Sequence, residues 1–347
     1  MKVNVMLVGY GHVGKGFTDM LLAERQRLFD AYGILLSVVG AVDAGGAALC
    51  PQGFPLSKLH TVAWDTGSVA HYPEYGRASM SAHSAIAESN AHILVECTPS
   101  NFVTAEPAIG HIIQALDLGM DVVLANKGPL ALQWNYLHSY AHSKGKSIAY
   151  SAAAAAGLEV ISLVSALGNA GDIQSVRGVL NATSQFVLHH WLQQGMSQEE
   201  ALRLAQEQGI AEADAQFDLG GYDSAVKLLL LANAAGAGGL TLNDVHIQGI
   251  EAIHPDMLQE AKAHQGHLAL LAEAKSNATG SFELSVTPQV LDKDDPLAQL
   301  SYHDKAVQVF THSRGMQLLV GKGMGMDGTA GSVLSDVVRL ARSLKLP

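Results

Sequence analysis

Asp223 and Lys227 stand four residues apart in the stretch GIAEADAQFDLGGYDSAVKLLLLA (209–232), so on a helix they project from one face. Glu212 and Asp214 lie in the irregular lead-in. Such an Asp/Lys pair can be no more than a solvated salt bridge. Lys227, however, runs directly into LLLLA, which predicts a buried helix. A lysine beside carboxylates on a buried helix suits acid/base chemistry, because its proton affinity can be tuned there. A second constellation is Gly9-x-Gly11-x-x-Gly14 in VGYGHVGKGF (8–17). In a dinucleotide-binding turn Gly9 permits the tight bend and Gly11 lets the backbone approach a pyrophosphate. Gly14 allows close helix–strand packing, and His12 and Val13 open a helix whose N-terminus faces the phosphates. The chain has 35 glycines, so the pattern alone is weak; its place between an apolar strand and a helix gives it weight.

Three further positions belong to the same reading. Asp43 follows the second apolar run, where a carboxylate accepts hydrogen bonds from a ribose and repels a 2′-phosphate, favouring NAD over NADP. It lies further from Gly14 than is usual, so a plain loop aspartate is the competing account. ECTPSNF (96–102) and LANKGPLAL (124–132) come just past two more apolar runs, the carboxyl ends of strands where ligands bind in open α/β sheets. Lys127 there is either a contact for cofactor or substrate carboxylate, or a surface lysine. The sixteen histidines include no HExxH spacing, and there is no P-loop, CxxC or serine nucleophile elbow.

The elements that must position these groups follow from the apolar periodicity. VNVMLV (3–8), ILLSVVGAV (34–42), HILVEC (92–97), DVVLA (121–125) and SIAY (147–150) read as strands, with helices between the later ones. That alternation predicts an α/β domain with a doubly wound parallel sheet over residues 1–150. After YSAAAAAG the rhythm changes to a helix from about 158, a strand SVRGVLNA and a helix from about 184. Ser197 and Glu200 form a capping-box signature for the next helix, which stops at Gly209. From 244 onward DVHIQGI, HLALLAEA, FELSV, AVQVFT and MQLLV predict a mostly antiparallel sheet, so the second domain is α+β.

Composition narrows the function classes. The 347 residues are 48% hydrophobic and 15% charged, enough to bury a large core in two domains. A net charge of −11 with no basic cluster argues against nucleic acid and anionic membranes as partners. No run reaches membrane-spanning length, no leader pattern precedes the first strand, and Cys50 and Cys97 form no metal or disulfide framework. The expectation from composition is a soluble, cytoplasmic globular protein.

Taken in order, VGYGHVGKGF, ECTPSNF, VVLANKGPLAL, VRGVLNATSQFVL, GMSQEEALRLAQEQGIAEADAQFDLGGYDSAVKLLLLA and GKGMGMDGTAGSVLSD resemble the homoserine dehydrogenases over nearly the whole chain. The resemblance implies a Rossmann-type domain (1–150), an α+β catalytic and dimerisation domain (151–310) and a C-terminal segment (311–347) returning to the nucleotide domain. It implies a homodimer of amino-acid biosynthesis that acts on a small-molecule substrate, interconverting L-homoserine and L-aspartate 4-semialdehyde with NAD or NADP. The alternatives are a homologous dehydrogenase for a different amino alcohol or aldehyde, or a non-catalytic nucleotide-binding relative. Lys227 matches the catalytic lysine. Glu212, Asp223, Lys127 and Thr183 match substrate contacts; Thr98, Lys127, Gly209 and Gly325 match cofactor contacts. Ser151 stands where the family has a glutamate that helps hold a monovalent cation, leaving the backbone carbonyls of Ala154, Ala156 and Leu158 for any such metal site. Glu159, Ala182, Ser184, Gln185 and Ile210 also depart from the family pattern.

Overall fold

The computed structural model describes residues 1–169, 171–263, 266–277, 280–322 and 325–344. The chain divides into two units, Met1–Gly157 with Met324–Pro347, and Leu158–Gly323.

The first unit is built on strands β1 (Lys2–Val8), β2 (Leu35–Asp43), β3 (Gly46–Leu49), β4 (Gly76–Ala78), β5 (Ile93–Glu96), β6 (Asp121–Leu124) and β7 (Ile148–Ala149). They form one sheet in the order β4-β3-β2-β1-β5-β6-β7. The pairs β2–β1, β1–β5, β5–β6 and β6–β7 are parallel, and β3 and β4 extend one edge antiparallel. Val3, Val5, Met6 and Leu7 are all fully buried, so β1 reads as a mostly apolar run, interrupted between Val3 and Val8 only by the buried Asn4. The expected doubly wound sheet is therefore present, with the antiparallel edge added. That edge was not legible, since three- and four-residue strands carry too little periodicity.

The helix Gly325–Ser343 belongs to this unit, with Val333, Leu334, Val337 and Leu340 in the same core as Phe17 and Leu21. The return of the chain begins with this helix and not at residue 311, because Gly315–Lys322 pairs along its whole length with Asp304–Thr311 in the other sheet. The first boundary also lies later than residue 150. Residues 151–157 are tied to the returning helix: Ser151 N–H and Oγ donate to Asp336 at 2.7 and 2.8 Å, and Gly157 N–H donates to Ser332 Oγ at 3.1 Å.

The second unit holds strands β8 (Ile173–Val179), β9 (Val245–Ile247), β10 (His267–Ser276), β11 (Phe282–Leu291), β12 (Asp304–Thr311) and β13 (Gly315–Lys322), in the order β13-β12-β8-β10-β11-β9. All neighbours are antiparallel except β11–β9. The helix Tyr222–Ala232 is buried nearly all round, from Asp223 to Ala232, and packs on β10 and β11. The capping box is formed: Glu200 N–H donates to Ser197 Oγ at 3.1 Å and Ser197 N–H to Glu200 Oε2 at 2.8 Å.

Candidate active site

In the first unit the chain leaves β1 through a bend at Gly9, whose N–H and that of Tyr10 both donate to Val42 O. Gly9 has φ +97°, and a Cβ there would lie 2.6 Å from Cys97 C and 2.8 Å from Thr98 N. Gly14 packs as closely, with its Cβ position 2.6 Å from Gly9 O. Gly11 differs: a Cβ would meet nothing within 4 Å. It caps the helix His12–Tyr32 without any side-chain hydrogen bond, so the first-turn N–H groups have no side-chain cap. Two glycines forced by close packing and one facing open space suit a pyrophosphate on the helix N-terminus. His12 is exposed, and Val13 packs against the core.

Thr98 follows β5 and Lys127 follows β6, both past the carboxyl ends of parallel strands. Asn126 joins the two loops, donating to Thr98 Oγ1 and Pro99 O, each at 3.2 Å, while Lys127 N–H donates to Ser100 Oγ at 3.0 Å. Lys127 is half-buried at the cap of the helix Gly128–Ser143. Asp43 ends β2, and its carboxylate accepts from Gly45 N–H at 2.9 Å, Ser68 Oγ at 2.6 Å and Val69 N–H at 2.7 Å. Of about four acceptor positions on a carboxylate, three are thus engaged within the protein. These contacts tie Asp43 to its own loop and to Ser68 and Val69, and a ribose contact would use the remaining position.

In the second unit Lys227 Nζ lies 2.5 Å from Asp223 Oδ2 and donates to Leu180 O at 2.8 Å, both side chains being nearly buried. The same Asp223 oxygen accepts from Asn181 Nδ2 at 2.9 Å, and Asn181 Nδ2 also donates to Asp218 Oδ1 at 2.7 Å. Asn181 Oδ1 accepts from Ser184 N–H at 2.9 Å, capping the helix Ala182–Leu192. The end of β8 therefore supplies a carbonyl to the lysine and an amide to both carboxylates. Asn181 and Asp218 were not singled out from sequence, although both lie inside the stretches quoted above. An asparagine at a strand–helix junction is a capping signal, and Asp218 sits between Asp214 and Asp223.

The other expected residues are placed less centrally. Asp214 accepts from Gln216 N–H and does not join the cluster. Glu212 is exposed, and among the described residues its carboxylate makes no hydrogen bond or ion pair with Lys227, Asp223 or Asn181. Thr183 is buried and its Oγ1 donates to Ile210 O at 3.1 Å, holding the loop that Gly209, at φ +69°, introduces. Gly325 is the first residue of the returning helix. Ala154 and Ala156 belong to the first unit and Leu158 opens the second. Ser151 brings no carboxylate to a cation, and its hydroxyl and N–H are engaged by Asp336. Among the described residues no group of three or more His, Cys, Asp or Glu side chains could hold a metal.

Comparison with known proteins bears on both units. The family model "Homoserine dehydrogenase" matches residues 160–338, and "Homoserine dehydrogenase, NAD binding domain" matches residues 9–151. The homoserine dehydrogenase of Methanocaldococcus jannaschii is 33% identical over 343 residues, covering 99% of this chain and 100% of that protein. The NAD(+)-dependent homoserine dehydrogenase of Pseudomonas canavaninivorans is 32% identical over 343 residues, with 99% and 97% covered. Among solved structures, a putative homoserine dehydrogenase from Archaeoglobus fulgidus superposes with a TM-score of 0.85 at 27% identity, covering 97% of this chain and 98% of that one.

Proposed function

The chain belongs to the homoserine dehydrogenase family of nicotinamide-dependent oxidoreductases, and we propose that it interconverts L-homoserine and L-aspartate 4-semialdehyde with Lys227 as the acid/base group. The observation that carries this reading is the lysine ammonium held between Asp223 and the Leu180 carbonyl, with Asp218 joined to the same cluster through Asn181. When bound, the nicotinamide supplies the hydride in reduction and accepts it in oxidation. As negative charge develops on the aldehyde oxygen, Lys227 donates its proton there; in the reverse direction it takes the proton from the hydroxyl. Asp218, Asp223 and Glu212 supply negative charge for the substrate ammonium, and Thr183 orders the loop that carries Glu212. Lys127 is assigned to the cofactor and to the substrate carboxylate. No step is assigned to a monovalent cation.

For the cofactor we favour NAD. Asp43 fixes a negative charge at the end of β2, which opposes a 2′-phosphate, and the Pseudomonas canavaninivorans relative is named as NAD(+)-dependent. We also assign a homodimer: Met316, Leu318 and Val320 expose apolar side chains at every second position of β13, an edge strand of the second sheet. Sedimentation at the mass of one 36.5 kDa chain would remove that assignment. Among the described residues no helix is long and apolar enough to cross a membrane.

A substrate panel tests the reaction. With NAD, L-homoserine should give the highest kcat/KM among small amino alcohols and yield an aldehyde trappable as its hydrazone; a better rate with another amino alcohol would reassign the substrate. Asn181 gives a sharper check on the cluster. Asn181→Ser keeps a capping side chain and loses both amide donors to carboxylates, so the melting temperature should fall by several degrees and the rate is compared on folded protein. With two carboxylates released, kcat/KM for homoserine should fall roughly 10–100-fold, as expected for buried hydrogen bonds to charged groups, at unchanged NAD affinity. Wild-type kcat/KM in this variant would separate Asn181 from the chemistry.

A further inference from the structure

Behind Thr98 lies a buried charged group that the reaction above does not use. Glu96 ends β5 with no solvent exposure, and both of its carboxylate oxygens are engaged. Oε2 is 2.8 Å from His111 Nδ1, on the helix Ala108–Asp117, itself buried. Oε1 accepts from Thr98 N–H at 2.8 Å and also from the Thr98 hydroxyl. Burying a carboxylate costs several kcal/mol before its partners are counted, and an apolar residue would fill the same space without that cost. What the carboxylate gives in return is a pair of charge-assisted bonds that fix the backbone and the side chain of one residue together.

The direction of those bonds matters. A threonine hydroxyl has one hydrogen and two lone pairs. Its hydrogen is committed to Glu96, and one lone pair accepts from Asn126 Nδ2 at 3.2 Å. The other lone pair is what Thr98 Oγ1 has left to offer. The same loop forms the wall against which Gly9 packs, since a Cβ on Gly9 would lie within 2.8 Å of Cys97 and Thr98 backbone atoms.

We propose that Glu96 and His111 are a positioning pair that holds the Thr98 hydroxyl as a hydrogen-bond acceptor for a donor group of the dinucleotide, a ribose hydroxyl or the carboxamide N–H. The inference rests on Thr98 being a cofactor contact, so Thr98 itself is the reference in its test.

NAD affinity is measured without turnover, by calorimetry on the full chain. Thr98→Val should weaken NAD about 10-fold, and Thr98→Ser should bind within about threefold of wild type. Glu96→Ala should also weaken NAD about 10-fold. Glu96→Gln, whose amide oxygen still accepts from Thr98, should recover most of that loss. In the Thr98→Val background Glu96→Ala should add less than about twofold, because both changes remove one interaction. If Glu96→Ala does not fold, His111→Ala replaces it, with an expected loss of about threefold and the same non-additivity. Wild-type affinity in folded Glu96→Ala or His111→Ala overturns the positioning role, as does a full multiplication of the two effects. Unchanged affinity in Thr98→Val instead removes the cofactor contact at Thr98, and the inference falls with it.

Discussion

Lys227→Ala is expected to lower kcat for homoserine oxidation by at least about 10³-fold while NAD affinity stays within about twofold of wild type. General acid/base groups contribute roughly 10²–10⁴-fold, and removal of this one also deletes the positive charge facing the developing alkoxide. NAD binding should persist because the glycine turn, Asp43 and Thr98 all lie in the other unit. The substitution removes the Lys227 ion pair from the nearly buried Asp223 and the Lys227 donor from Leu180 O. Loss of a buried partner destabilises by about 3–5 kcal/mol when fully enclosed, and the residual exposure of these side chains reduces that figure. The melting temperature must therefore be read beside the rate. Lys227→Arg separates the two effects: it keeps a positive charge for Asp223 but cannot give up its proton at working pH, so folding should be preserved and turnover lost. Turnover in a folded Lys227→Ala protein would mean that another group carries the proton.

Gly9→Ala should weaken NAD by about 100-fold or more and destabilise the first unit as well. At φ +97° any Cβ is strained, and the atoms it would meet are backbone atoms of residues 97 and 98, which cannot rotate aside. Relief requires the β1 bend to separate from the loop after β5, which dismantles the surface that would receive the dinucleotide. Gly11→Ala is the matching control. Its φ of −86° is ordinary and its Cβ meets nothing, so the fold should tolerate it. Its methyl group points into the space assigned to the phosphates, so NAD affinity should fall with little change in melting temperature. Equal loss of stability in both variants would contradict this division between packing and ligand approach.

The sequence carried these residues unequally, for physical reasons. The β1 strand was legible because burial on both faces makes Val3 and Val5–Val8 apolar, with Asn4 the exception, and the glycine turn because backbone crowding admits no other residue at positions 9 and 14. The Asp223/Lys227 pair was visible because i, i+4 spacing on a helix fixes one face without knowledge of the tertiary fold. Asn181 and Asp218 escaped because their partnership spans 37 residues and depends on where β8 ends against the helix Tyr222–Ala232. Glu96 escaped for a similar reason: a carboxylate at a strand end reads as surface unless the histidine covering it, 15 residues on, is known to be buried there. Asp43 reads from sequence as a ribose contact because it follows the second strand, but only coordinates reveal that Ser68 and Val69 engage it. The start of the C-terminal return at residue 311 comes from the family resemblance, whereas the apolar alternation of MQLLV places that strand in the second sheet, where it pairs with Asp304–Thr311.

The most direct test of the account is absorbance at 340 nm with L-homoserine at alkaline pH, NAD and NADP in parallel, for the wild-type chain and Lys227→Ala. The account predicts reduced cofactor from the wild-type protein, faster with NAD, and none above background from folded Lys227→Ala that still binds NAD. A wild-type protein that binds NAD and leaves homoserine unoxidised would contradict it.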